Sequence, residues 1–126
     1  MPNYNRTIIY LSEIDIDGTV GGVSFITRTR LSDGLVFQPI AAYIRVITAQ
    51  NVNTSATISV GTNGPNFTNV LNGQVVAGQT GVIVADSLSR PRPLPDDTDI
   101  NVNVTVPATG TNPTLKFRVM ILGVEV

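Results

Sequence analysis

Two clusters of carboxylates and one glycine-rich loop are the places where this chain of 126 residues could do chemistry. Asp15, Asp17 and Gly18 stand in DIDG, and spaced carboxylates followed by a glycine are how a calcium loop begins to wrap its cation. The third Asp/Asn ligand and the distal Glu are missing, so the sequence predicts a hairpin turn instead. Asp96, Asp97 and Asp99 gather in PDDTD, and paired carboxylates can share acid–base work. Lying in a proline-rich stretch ahead of a strand, they read as solvated turn residues. The loop ISVGTNGPNFTNVLNGQ runs from Ile58 to Gln74. A phosphate cradle would need a following helix and a GK[ST] triplet, and a sugar platform would need several exposed aromatics. Neither is present. Gly61 and Gly64 are expected to permit positive φ, Pro65 to fix the turn, and Phe67 and Val70 to tuck under the edge of the fold.

The remaining chemistry is thin. The chain has no His and no Cys, which removes the commonest general base, metal ligand and thiol nucleophile. A Ser–Lys pair would have to use Lys116, which alternates with apolar residues and has no serine motif beside it. The reading is therefore of no catalytic residue, no cofactor and no metal. RPRPLP could enter an aromatic groove as a polyproline helix, but a rigid connector explains it with less. Asn5, Asn53, Asn66 and Asn103 sit in N-x-S/T triplets, read as accidents of an Asn/Thr-rich surface.

The elements that would carry these residues are strands. DINVNVTV alternates Ile100, Val102, Val104 and Val106 with Asn101, Asn103 and Thr105, the pattern of a strand with one wet face. RTIIYLSEI, GGVSFITRTRL, IAAYIRVITAQ, SATISVG, TGVIVADSL and PTLKFRVMILGVEV also read as strands. Turns are expected at DIDGTVGG after Ile14, at SDGL after Leu31, and at GTNGPN and PATGTNP. Pro91, Pro93 and Pro95 exclude a central strand over SRPRPLPDDTD and suit a crossing between sheets. No helix is convincing, although NFTNVLNG could form one turn closed by Gly73. Seven or eight short strands with this punctuation predict an all-β, two-sheet antiparallel sandwich, jelly-roll-like, as one domain over residues 1–126.

Charged residues make up 13% of the chain and the net charge is −1. The scattered basic residues give no footprint for nucleic acid, and no apolar run suits a membrane span or a leader. Seven of the eight basic residues are Arg, the cation favoured at protein interfaces. Two strands are apolar on both faces. The last carries Leu115, Phe117, Val119 and Ile121 on one side and Met120, Leu122 and Val124 on the other. The first carries Ile8, Tyr10 and Ile14 against Ile9 and Leu11. A second apolar face calls for a second cover, from a loop or from another chain; on the second reading Met120, Leu122 and Val124 are candidates for an oligomer or partner interface. Arg28, Arg30, Arg45 and Arg118 are candidate anchors. Residues 1–6 are expected to form an extended arm, with Tyr4 and Arg6 as its anchors.

ISVGTNGPNFTNVLNG followed by DTDINVNVTVPATGTNPTLKFRVMILG resembles the small β-sandwich and jelly-roll domains of tailed-phage virion proteins. The resemblance covers roughly the second half of the chain. It implies a structural protein with no enzymatic activity. The first expectation is a capsid decoration, or cement, protein on the outer surface of the head. It would be made in the host cytoplasm, form a homotrimer and clamp neighbouring subunits of the major capsid protein. The alternatives are a tail or fibre module that binds a receptor or carbohydrate, and a free carbohydrate-binding domain, the last disfavoured by the absence of Trp.

Overall fold

The computed structural model describes residues 6–89 and 92–126. Nine β segments follow one another: β1 (Thr7–Leu11), β2 (Ile16–Asp17), β3 (Gly22–Arg28), β4 (Phe37–Thr54), β5 (Ala56–Gly61), β6 (Leu71–Val76), β7 (Gly81–Val84), β8 (Asp99–Val106) and β9 (Thr109–Glu125). One sheet has the order β1-β9-β4-β7, with β2 also pairing with β9, and the other has the order β3-β8-β5-β6. Every pairing is antiparallel. Since β1 and β2 are one interrupted strand along β9, each sheet holds four strands. Only the β5–β6 connection stays within a sheet; all the others cross. That is the jelly-roll arrangement of an all-β sandwich, as the turn spacing and crossing loops predict.

Alternation builds the core between the sheets. Ile44, Val46, Leu115, Phe117, Val119 and Ile121 face inward from one sheet, and Ile58, Val60, Ile100, Val102 and Val104 from the other. Burying a Val, Leu, Ile or Phe side chain contributes about 1.5–3 kcal/mol, so this layer dominates the stability. Tyr10 meets Phe37 edge-on, ring centroids 4.9 Å apart at 79°. The Tyr10 hydroxyl donates to Arg30 O (3.1 Å) and accepts from Arg30 N (2.9 Å). Gly123 lets Phe37 lie flat on β9, because a Cβ there would stand 2.5 Å from the ring.

Several expectations are corrected. Ile14 is 56% exposed rather than buried. The interruption after β1 throws residues 13–15 outward, and Ile16 takes the inward place beside Phe117. Ser12 holds the interruption closed, its Oγ accepting from Val119 N at 2.8 Å. The reversal after this point comes at residues 18–20, once β2 has paired. Val106 is exposed although it still pairs with Thr57, because the register shifts between Thr57 and Ile58 and takes it off the inward face. Most of PATGTNP is not a turn: β9 begins at Thr109, and Asn112 there takes a positive φ of 50°. NFTNVLNG forms no helical turn; its last three residues open β6, with Gly73 at φ 74° inside the strand.

Of the expected arm, Met1 to Asn5, including Tyr4, lie outside the described residues. Arg6 is held against the end of β9, its carbonyl accepting from Glu125 N at 2.9 Å.

Candidate interaction surface

The outward residues of the β1-β9-β4-β7 sheet fall into cross-strand rows. Leu11, Met120, Tyr43 and Val84 form one row across all four strands, and Ile9, Leu122 and Ala41 form the next. On the other side Arg118, Arg45 and Val82 line up. Ile9 is 64% exposed, Val82 61% and Val84 68%. Met120, Leu122 and Val124 are half-buried on this face, so the three sequence candidates share one surface. Their neighbours make it larger than β9 alone indicated: Tyr43 came from a strand assigned no outer face, and Val82 and Val84 from a short edge strand. The β4 bulges add to it, since Ile40 and Ile47 sit at register shifts and are exposed. Bulges re-aim side chains in this way.

Two shallow grooves cut the surface. One of about 360 Å³ is lined by Ile9, Tyr43, Val82, Met120 and Leu122. The second, about 480 Å³, shares Val82 and Met120 and adds Arg45, Ile47, Thr80 and Gly81. The opposite sheet is different. Its outer face centres on Asn101, Asn103 and Thr105 of β8 beside Thr57 and Ser59 of β5, with Val23 and Phe25 on edge strand β3. One sheet is therefore polar at its centre, where Ser59 is itself buried, and the other apolar. Contiguous exposed apolar surface of this kind marks interaction sites in soluble proteins.

The candidate arginines separate into two kinds. Arg6 Nε meets Glu125 Oε1 at 2.6 Å, and Arg118 Nε meets Asp15 Oδ1 at 2.6 Å. Arg28 Nε reaches Asp99 Oδ1 at 2.5 Å, and Arg30 reaches Asp97 at 2.5 Å. All four are thus tied to carboxylates of their own chain. Arg28 and Arg30 lie at and just beyond the end of β3, away from the apolar face. Arg45 has no carboxylate within salt-bridge reach among the described residues, and it stands directly opposite Arg118.

The carboxylate clusters are occupied by the same bonds. Asp17 accepts from Thr19 N (2.9 Å) and Thr19 Oγ1 (2.7 Å) and pairs with Lys116 at 3.3 Å. Burial pushes its pKa up, but the Thr19 and Lys116 bonds outweigh this and hold it below the ordinary value. Asp96 accepts from Leu31 N at 2.8 Å, and the Arg28 bond lowers the Asp99 pKa. No group of three acidic residues among those described is arranged to hold a metal ion. DIDG is the short strand β2 with the first residue of the turn after it, PDDTD is a turn running into β8, and the carboxylates of both bond to neighbouring strands.

Glu125 escaped the sequence reading because a single Glu near a strand end reads as solvated. It is buried, and it accepts from Ser32 N at 2.6 Å as well as from Arg6. Those bonds, the Ser32 amide first, hold its pKa below the usual glutamate value.

The glycine–asparagine loop is self-satisfied. Asn63 Oδ1 accepts from Thr68 N (2.7 Å) and Asn69 N (3.0 Å), and Asn69 Oδ1 accepts from Thr62 N (2.8 Å). Val70 is buried and Phe67 half-buried, as expected. The glycines act otherwise than expected. The positive φ falls on Phe67, at 54°, not on Gly61 or Gly64. Gly61 is needed for space, because a Cβ there would collide with the Asn69 and Asn63 side chains.

With a jelly roll and one apolar face in place, the chain can be set beside known proteins. No protein-family model and no curated protein matches it. Among solved structures, a chain of the cyanophage Pam1 capsid asymmetric unit is similar with a TM-score of 0.66 and 14% identity, over 98% of this chain and 90% of that one. A chain of the acid-stable capsid of Helicobacter pylori bacteriophage KHP30 is similar with a TM-score of 0.56 and 13% identity, over 98% of both chains. At these identities the likeness is one of fold.

Proposed function

We propose that this chain is a structural protein of a phage virion, a decoration or cement protein on the outer surface of the head. It binds neighbouring major capsid subunits as a homotrimer and catalyses nothing; it takes no cofactor and binds neither nucleic acid nor membrane. The observation that carries this reading is correspondence over nearly the whole length of chains found in two phage capsids. A matched chain that is itself one small jelly roll suits an added protein placed over seams. The apolar sheet face adds support, since it calls for a protein cover. The mechanism is mechanical. Several copies spanning one junction act together, so modest single contacts sum to a strong clamp.

The test compares heads with and without the protein. Bare heads should assemble yet release packaged DNA at lower temperature, and density for the jelly roll should lie over capsid seams. Equal release temperatures would refute the cement role, and density at the tail would support a receptor-binding module instead.

A further inference from the structure

We propose that the outer face of the β1-β9-β4-β7 sheet docks an extended segment of a different protein, bearing an apolar side chain and a carboxylate two residues apart. The carboxylate closes on Arg45. This rests on the capsid-binding reading and supplies the chemistry of the contact.

Electrostatics argues for the carboxylate. Arg45 and Arg118 are direct cross-strand partners, and like charges so placed repel. Arg118 is neutralised by Asp15, and Lys116 by Asp17. Arg45 is the cation left without a carboxylate among the described residues of this face. It lines one end of the groove whose other residues are largely apolar. A cover that buried Arg45 without an anion would incur a large desolvation cost.

That cost bears on which partner fits. In a two-fold face-to-face pair of this chain, the same patch meets itself. The carboxylates at this face, Asp15 and Asp17, are already engaged, so such a pair would bury Arg45 unpaired or break an existing bond. A different protein bringing its own carboxylate avoids this, and it leaves the proposed homotrimer to form through other surfaces of the chain. The spacing follows from β4. Tyr43 and Arg45 are two residues apart on one face, a separation of about 7 Å. Tyr43 lines the apolar groove and Arg45 the adjoining one. An extended segment lying along β4 therefore meets the two sites with side chains at i and i+2.

The experiment uses the full chain and purified heads lacking it, with binding read by co-sedimentation and self-association by sedimentation velocity. Arg45→Glu should weaken head binding at least tenfold with unchanged mass in solution. Val82→Ser should weaken it severalfold. Thr105→Glu, on the opposite sheet, should bind as the unaltered chain does. If the unaltered chain binds heads and Arg45→Glu binds equally well, the inference is overturned while the cement reading stands. If Arg45→Glu instead loses self-association, the face is covered by a second copy and the inference is again wrong. Failure of the unaltered chain to bind heads would overturn the cement reading itself.

Discussion

Ser12 offers a sharp test of how the interrupted first strand is held. Its hydroxyl is buried, accepts from Val119 N at 2.8 Å and donates to Val119 O at 3.2 Å. Val119 O also accepts from Ser12 N at 3.0 Å, so Ser12→Ala leaves that carbonyl one partner. The Val119 amide would have none in a site closed to water. An orphaned buried donor costs about 1–3 kcal/mol, while the lost oxygen leaves a void too small to add much. For a domain of this size, 1 kcal/mol moves the melting temperature by about 4 °C. Urea denaturation of Ser12→Ala should therefore show a lower midpoint at unchanged slope. Ser24→Ala removes a half-buried hydroxyl that makes no hydrogen bond among the described residues, and should stay within about 0.5 kcal/mol. If Ser12→Ala also stays within that range, the Val119 amide finds another acceptor, and Ser12 is not what closes the interruption.

Three further outcomes are expected. Asp17, Asp99 and Glu125 all have pKa values lowered by folding. The stability they contribute is present above the unfolded carboxylate range, near pH 4, and is lost as pH falls through the lower folded values; Glu125→Gln should flatten part of that loss in acid melts. Gly61→Ala should destabilise by about 1–3 kcal/mol through overpacking against Asn69 and Asn63, whereas Gly34→Ala should act only through its φ of 76°. Arg28→Ala removes an exposed ion pair with Asp99 and should leave the midpoint of chemical denaturation close to that of the unaltered chain; a clear drop would make the clasp on the proline-rich crossing a main support of the fold.

What could be read in advance was what repeats locally. Ile100, Val102 and Val104 alternate with asparagines, so their strand was legible residue by residue. The two faces of β9 were legible for the same reason. Events set by distant partners were not. Ile14 keeps the apolar rhythm of its strand, yet the break held by Ser12 and Val119, 107 residues apart, turns it outward. Asp97 and Asp99 read as solvated because nothing near them in sequence announces Arg28 and Arg30. Of the interaction surface, Met120 and Leu122 were legible, but Val82 and Val84 sit in a four-residue edge strand whose outer face is defined only by its register against Tyr43 and Arg45. Arg45 was singled out with four other arginines. Only the geometry separates it, because pairing is invisible in a list of cations.

The place of β9 has a consequence for how this chain comes to be folded. β9 is formed from residues 109–125, yet it lies inside its sheet, between β1 and β4. The strand that leads the chain and the long fourth strand have no common partner until it arrives. During synthesis, their apolar residues wait while everything between them and β9 is made. Contacts of such long range form slowly, and unpaired strands in the interval are prone to associate with one another. Sheet formation here is therefore tied to synthesis of residues 109–125, so a ribosome stalled short of residue 109 would hold two sticky strands and no sandwich.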